Sequence, residues 1–180
     1  IARHEGIVLD PYLDTATPPV WTIGIGHTAS AGEPIPKGHR TITAVEAVEI
    51  FRRDVAKFED RVNAAVKAPL AQHEFDALVS FDFNTGGIHR AELTRKLNAG
   101  DRKGAAAGFM GWLKPASIYG RRKAEQALFA SGAYGGGDIP LYLAPNGRPV
   151  RKGSISAESL LASMGSREVV ITPTNPLNPE

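Results

Sequence analysis

Beginning at Val48, apolar residues recur every three or four positions through Phe51, Val55, Phe58, Val62 and Val66, and the stripe stops before Pro69. That is the period of an amphipathic helix with one buried face. Thr43-Ala-Val-Glu46 ahead of it has the form of a capping box, in which the Thr hydroxyl and the Glu carboxylate satisfy amides left open at a helix start. The predicted helix of about 24 residues is long against an average of about 11 to 12. A second helix is predicted around Gln72 to Phe83, burying Phe75, Leu78, Val79 and Phe81 and stopping at Asn84-Thr-Gly-Gly. Shorter helices are predicted near Arg90 to Ala99, Arg102 to Leu113 and Tyr119 to Ser131, closed by Gly100 and Gly132.

The first forty residues have a different texture. Thr, Val, Trp and Ile clusters broken by Pro and Gly, from Trp21 to Ile25 and again around Gly32 to Gly38, predict a small antiparallel sheet with loops. Gly24 and Gly26 are read as points of close backbone approach, to another strand or to a ligand. After Gly132 the composition shifts again. Gly135-Gly-Gly137 reads as a linker, Ile139 to Val150 around Pro-Asn-Gly as a hairpin, and Ser156 to Met164 as a short helix. The final Thr-Pro-Thr-Asn-Pro-Leu-Asn-Pro-Glu is proline-rich and is expected to be extended or disordered. The domain division expected is 1–134 for the main domain and 135–180 for a linker and extension of unknown role.

Composition narrows the chemistry. At 180 residues and 42% hydrophobic the chain is long enough to bury a core. No run approaches the length of a membrane-spanning helix, and no charged start followed by an apolar core marks a secretory leader. With no Cys, disulfides, thiol nucleophiles and thiolate zinc sites are excluded. The five His residues show no H-E-x-x-H or similar spacing, which weakens a zinc-dependent amidase; no metal and no cofactor are expected. Net charge is only +2, but residues 90–124 hold nine Lys and Arg against Glu92 and Asp101. Such a stretch is either a solvated helical face or an attractor of polyanions. Nucleic acid is not expected, because no basic helix with interleaved aromatic residues accompanies the charge.

The candidate chemistry lies near the start, in His4-Glu-Gly-Ile-Val-Leu-Asp-Pro-Tyr-Leu-Asp-Thr15. Glu5 and Asp14 are two carboxylates nine residues apart, just ahead of Thr22-Ile-Gly-Ile-Gly-His27. Glycoside hydrolysis needs such a pair: one carboxyl protonates the leaving oxygen and the other assists water or the anomeric carbon. Phe81-Asp-Phe-Asn84 with Gly86-Gly87, Arg95-Lys-Leu-Asn-Ala-Gly100, and Gly120-Arg-Arg-Lys-Ala-Glu125 with Leu128-Phe129 follow. In this order the motifs resemble the phage lysozyme (endolysin) family, glycoside hydrolase family 24, over roughly residues 1 to 132.

The resemblance implies an α+β, lysozyme-like fold: a small antiparallel sheet lobe and a larger helical lobe joined by the long helix. Glu5 then ends a first helix, Tyr12-Leu13-Asp14-Thr15 enters the sheet, and Thr22 to His27 forms its next strand. It implies Glu5 as general acid, Asp14 as the residue that positions or activates water, and Thr22 as a holder of that water. Arg121 corresponds to a basic residue that orients the acid, and His27 and Asp54 come together as a stabilising pair. Asn84 is open to two roles, binding substrate or capping its helix, and Trp112 is read as packing rather than a sugar platform.

The implied activity is that of a muramidase cleaving the β-1,4 bond between N-acetylmuramic acid and N-acetylglucosamine in peptidoglycan, in a phage or prophage endolysin. Alternatives are a lytic transglycosylase, against which Asp14 argues, and a silent wall-binding module. The expected partner is the bacterial wall, met by a monomer made in the host cytoplasm or carried in a larger phage-derived protein. Two features depart from the family pattern. Seven residues, Thr15 to Trp21, separate Asp14 from Thr22 where five are usual, and Pro18-Pro19 demand a wide loop; this leaves Thr15 or Thr17 as rivals for the role of Thr22. The chain also starts at Ile1, without Met and close to Glu5, as in a processed product or a segment of something larger.

Overall fold

The structure, a computed structural model, describes residues 1–164. The proline-rich end, expected to be extended or disordered, lies outside the described residues. The chain forms two compact units. One contains residues 1–54 together with the described residues from Gly137 onward, and the other contains residues 55–136.

The first unit is built on a five-stranded sheet. Helix α1 (Ala2–Glu5) runs directly into β1 (Ile7–Leu13), followed by β2 (Trp21–Gly24) and β3 (His27–Thr28). Near the C-terminal end come β4 (Ile139–Leu143), β5 (Val150–Ile155) and a short helix. The strand order is β3-β2-β1-β4-β5. The three N-terminal strands are antiparallel as expected, and so is the β4/β5 hairpin, but β4 runs parallel to β1, so the sheet is mixed.

The segment Thr22 to His27 does not form the single strand expected. It reverses at Ile25-Gly26, pairing Ile23 with His27, because Gly24 (φ 66°) and Gly26 (φ 74°) adopt the left-handed backbone that other residues resist. Close approach is not what Gly24 provides: a side-chain carbon there would meet Ala47 at an ordinary 3.6 Å.

Alternation along the strands turns Ile7 and Ile23 inward, where they pack with Ile25, Ile42, Ala47 and Ile50. Ile139 and Leu160 complete this core. Residues 139–163, read from the sequence as part of an extension of unknown role, therefore share one core with the N-terminal strands. Their apolar faces are covered by the same residues, which is the main source of cohesion in so small a lobe.

Helix α2 (Ala44–Ala65) supplies its first half to this unit and its second half to the other. Its start has the predicted capping box: Glu46 N donates to Thr43 Oγ1 (3.1 Å) and Thr43 N donates to Glu46 Oε2 (2.7 Å).

The second unit adds α3 (Gln72–Thr85), α4 (Glu92–Asn98), α5 (Arg102–Gly108) and α6 (Tyr119–Ser131). Gly86 and Gly132, at φ 57° and 68°, end α3 and α6 in the left-handed conformation, as the Gly positions predicted. The helix expected from Arg102 to Leu113 ends early, giving way to a 3₁₀ turn at Phe109–Gly111. Gly108 there lies against Leu93, where a side-chain carbon would come within 2.7 Å. Phe81 is the centre of the core, edge-on to Phe109 (5.5 Å) and Trp112 (5.2 Å), which makes Trp112 the packing residue it was read to be.

Candidate active site

Glu5 is the last residue of a single helical turn, its amide donating to the Ile1 carbonyl at 3.2 Å. Gly6 (φ 72°, ψ 174°) then swings the chain into β1, which carries it to Asp14. The wide loop predicted from Pro18-Pro19 is closed at its base by Asp14 N donating to Val20 O at 3.0 Å. The Asp14 carboxylate faces back into this loop. Its Oδ1 accepts from the amides of Val20 (2.8 Å) and Ala16 (3.1 Å).

Thr22 is buried, 3% exposed, and its hydroxyl donates to Val20 O at 3.1 Å. Val20 thus bonds both Asp14 and Thr22, so the two extra residues bulge outward without unhitching one from the other. Thr15 and Thr17, the rivals for the role of Thr22, sit on the exposed part of the loop.

Tyr12 lies within electrostatic reach of both carboxylates, and the sequence reading passed over it. It pairs across the sheet with Thr22, and its phenol is pushed up from its ordinary value of 10.0 by burial first, then by the negative charges of Asp14 and Glu5. Glu5 and Asp14 therefore share an electrostatic neighbourhood with a phenol that stays protonated. The signal was present in the sequence: Tyr12 is two residues before Asp14 on an extended strand, hence on the same face.

His27 is 1% exposed, with Nδ1 2.7 Å from Asp54 Oδ2 and Nε2 2.7 Å from the Pro34 carbonyl. Both ring nitrogens are thus held, one by the Asp54 carboxyl group and one by the Pro34 carbonyl. The pair joins β3 to α2, a bracing position. A cavity of about 500 Å³ on the same unit, bordered by Pro34, His39, Glu49 and Arg53 among others, includes none of Glu5, Asp14 and Thr22.

In the second unit Arg121 and Asn84 belong to one buried cluster organised by Glu125, which is 2% exposed. Glu125 Oε1 accepts from Ser80 Oγ (2.7 Å) and Arg121 Nε (3.0 Å), and Oε2 accepts from Arg122 Nη1. Arg122 in turn donates to Asn84 Oδ1, and Arg121 Nη2 donates to the Ser80 carbonyl at 3.2 Å. Asn84 is thus fixed by Arg122; the capping alternative does not hold, because Gly86 ends the helix through its backbone. Glu125, Ser80 and Arg122 were not singled out from the sequence, although Arg121, Arg122 and Glu125 stand at the three- and four-residue spacings that meet on a helix.

The basic stretch is less available than its composition suggested. Arg121 and Arg122 are buried, Arg95 is paired with Glu92, and Arg102 with Glu74. Lys103, Lys114 and Lys123 remain exposed. Among the described residues no group of His, Asp and Glu is placed to hold a metal ion.

The model of one family, described as phage lysozyme, matches residues 2–125. The chain belongs to the phage lysozyme family. This phage lysozyme domain is 40% identical over 139 residues to the endolysin of Bacillus phage PZA, which covers 73% of this chain and 52% of that protein. The chain thus spans about half the length of that relative. It is 38% identical over 138 residues to the endolysin of Salmonella phage P22, covering 73% of this chain and 92% of the other. Among solved structures, a variant of P22 lysozyme superposes with a TM-score of 0.65 at 33% identity, covering 72% of this chain and 91% of that one. The muramidase domain of SpmX from Asticaccaulis excentricus gives 0.60 at 31% identity, covering 71% and 89%. The lysozyme-like, α+β class expected from the motifs is therefore that of the phage lysozyme domain.

Proposed function

We propose that this phage lysozyme domain hydrolyses the β-1,4 bond between N-acetylmuramic acid and N-acetylglucosamine in peptidoglycan, with Glu5, Asp14 and Thr22 as its catalytic residues. The observation that supports this most directly is the pair of carboxylates flanking Tyr12, one at a helix end and one on a loop, with Val20 joining Asp14 to Thr22.

Glu5 donates its proton to the glycosidic oxygen as that bond breaks. Water attacks the anomeric carbon from the other face and passes a proton to Asp14, whose Oδ1 is tied to the loop while Oδ2 receives it. Thr22, donating its own hydroxyl proton to Val20 O, presents lone pairs that orient the water. The family resemblance gives Arg121 and Asn84 acid-orienting or substrate-binding roles, and both side chains are held within the Glu125 cluster.

The biological reading is an endolysin acting on the bacterial wall as a monomer, made in the host cytoplasm or carried in a larger phage-derived protein, with no nucleic-acid partner. Among the described residues no helix is long and apolar enough to cross a membrane.

Mass spectrometry of digested peptidoglycan tests the reaction. Reducing muramic ends support hydrolysis, anhydro-muramic ends identify a transglycosylase, and an unchanged wall identifies a binding module. NMR of the first-formed anomer tests the inverting course, which matches the water-assisted role given to Asp14.

A further inference from the structure

We infer that the C-terminal hairpin is a working part of the catalytic lobe and that Tyr142, acting through Gly6, is a positioning residue for Glu5. The inference rests on the reading of Glu5 as the general acid. The hairpin lies beyond residue 125, where the family match ends, so it is a feature of this chain outside the matched region.

The argument begins with α1. A helix of four residues is a single turn, far below the length at which a helix persists on its own, so the main-chain position of Glu5 depends on what packs around it. Directly after Glu5, the chain turns through Gly6 in a left-handed conformation (φ 72°). The Tyr142 ring is seated against this turn. A side-chain carbon on Gly6 would stand 2.7 Å from Tyr142 Cε2, 3.3 Å from Cδ2 and 3.4 Å from the Pro140 carbonyl, so the ring occupies the space beside the Gly6 Cα that any other residue would need.

The backbone fixes what the ring covers. The parallel ladder pairs Ile7 with Leu141 and Val8 with Tyr142, beginning two residues after the acid. Midway along β1, Asp10 Oδ2 accepts from the amide of Ala144 at 2.7 Å, while Oδ1 accepts from Thr41 Oγ1 at 2.5 Å. Ile139 and Leu160 are buried in the same core as Ile7 and Ile23. Strand β1 is thus held along β4 from just after Glu5 to Asp10, and the Tyr142 ring limits outward movement of the Glu5–Gly6 peptide. Catalytic groups tolerate little displacement: a shift of about 1 Å can cost on the order of 10² in rate.

The test uses the full chain with Tyr142→Ala, Tyr142→Leu and Tyr142→Phe, beside Glu5→Gln, assayed on peptidoglycan and on a soluble uncharged chitin-type oligosaccharide. Circular dichroism and urea titration establish that each variant is folded. The expected result for Tyr142→Ala is a fall in kcat of at least about tenfold with KM within about twofold of the parent, with Tyr142→Phe recovering most of kcat because it keeps the ring. Folded Tyr142→Ala protein with the parent's kcat overturns the inference. If Tyr142→Ala does not fold, Tyr142→Leu decides: a selective loss of kcat supports the inference, and parent kcat overturns it. An active Glu5→Gln protein would sink the acid assignment itself. An inactive Glu5→Gln beside a fully active Tyr142→Ala sinks only the role of Tyr142.

Discussion

His27 and Asp54 meet at 2.7 Å, with the imidazole 1% exposed and its other nitrogen bonded to the Pro34 carbonyl. Removing one partner of a buried pair leaves the other without compensation, at a cost of about 3 to 5 kcal/mol. His27→Asn and Asp54→Asn are each expected to lower stability by about that amount in urea unfolding, and the double variant to lose less than the sum of the two. Additive losses would show that the two side chains act independently.

Glu5→Gln is expected to abolish turnover while preserving the fold, since an amide has the carboxyl's shape but no proton to give. Asp14→Asn is expected to lose nearly as much; one positioned acid or base contributes about 10² to 10⁴ in rate. Release of reducing ends from purified walls is the measurement, and wild-type release by Glu5→Gln would refute the assignment.

Glu46 carries the acid-side pH dependence of the α2 start. The Arg40 guanidinium beside it and the Thr43 amide hold its carboxyl down from the usual 4.5 to about 2. A depressed folded value means stability that is present above the unfolded value and lost as pH falls through the folded one. Glu46→Gln is therefore expected to be less stable than the parent near neutrality, with the gap closing between pH 4.5 and about 2. The gap is small, because the pair is largely solvated. A gap that stays constant over that range would rule out the Glu46 charge as its origin.

Glu125 satisfies Ser80, Arg121 and Arg122 at once, so Glu125→Leu strands two buried guanidiniums. A loss of about 3 to 5 kcal/mol is expected. Glu125→Gln keeps the shape and is expected to retain more stability while losing turnover, because Arg121 and Asn84 lose the charge that fixes them. Turnover of a short uncharged oligosaccharide by the folded Gln variant at the parent's rate would separate this cluster from the chemistry.

Lys103, Lys114 and Lys123 are exposed lysines of the basic stretch, beside Arg90, which is also exposed but lies over the Trp112 ring. Replacing all three by Gln is expected to weaken binding to the anionic wall at low salt, with the difference shrinking as the Debye length falls below about 8 Å above physiological ionic strength. Turnover of the uncharged oligosaccharide should not change. Sedimentation with purified walls across a salt series measures the first effect, and salt-independent binding loss would contradict it.

What the chain announces in its sequence is local. The Thr43–Glu46 box, the spacing from Val48 to Val66 and the glycines after α3 and α6 act within one turn of their own position, so their structures could be read before any tertiary contact was known. The same holds for the order of motifs that carries Glu5, Asp14 and Thr22, and for the loop forced wide by Pro18-Pro19. Tertiary structure decided the rest. Local alternation marks Ile139 to Leu143 as a strand with an inward face, but it does not say which strand lies beside it. The parallel pairing with β1 is set by the shared burial of Ile139, Leu160, Ile7 and Ile23, residues more than a hundred positions apart in part. Glu125 stood in the sequence only as the end of the Gly120–Glu125 motif until Ser80, Arg121 and Arg122 surrounded it, and Tyr12 only as a residue entering the sheet until burial, and after it the charges of Asp14 and Glu5, raised its phenol. Periodicity tells each element which face must be covered; only the folded chain chooses the residues that cover it, because that choice is made by long-range packing and charge.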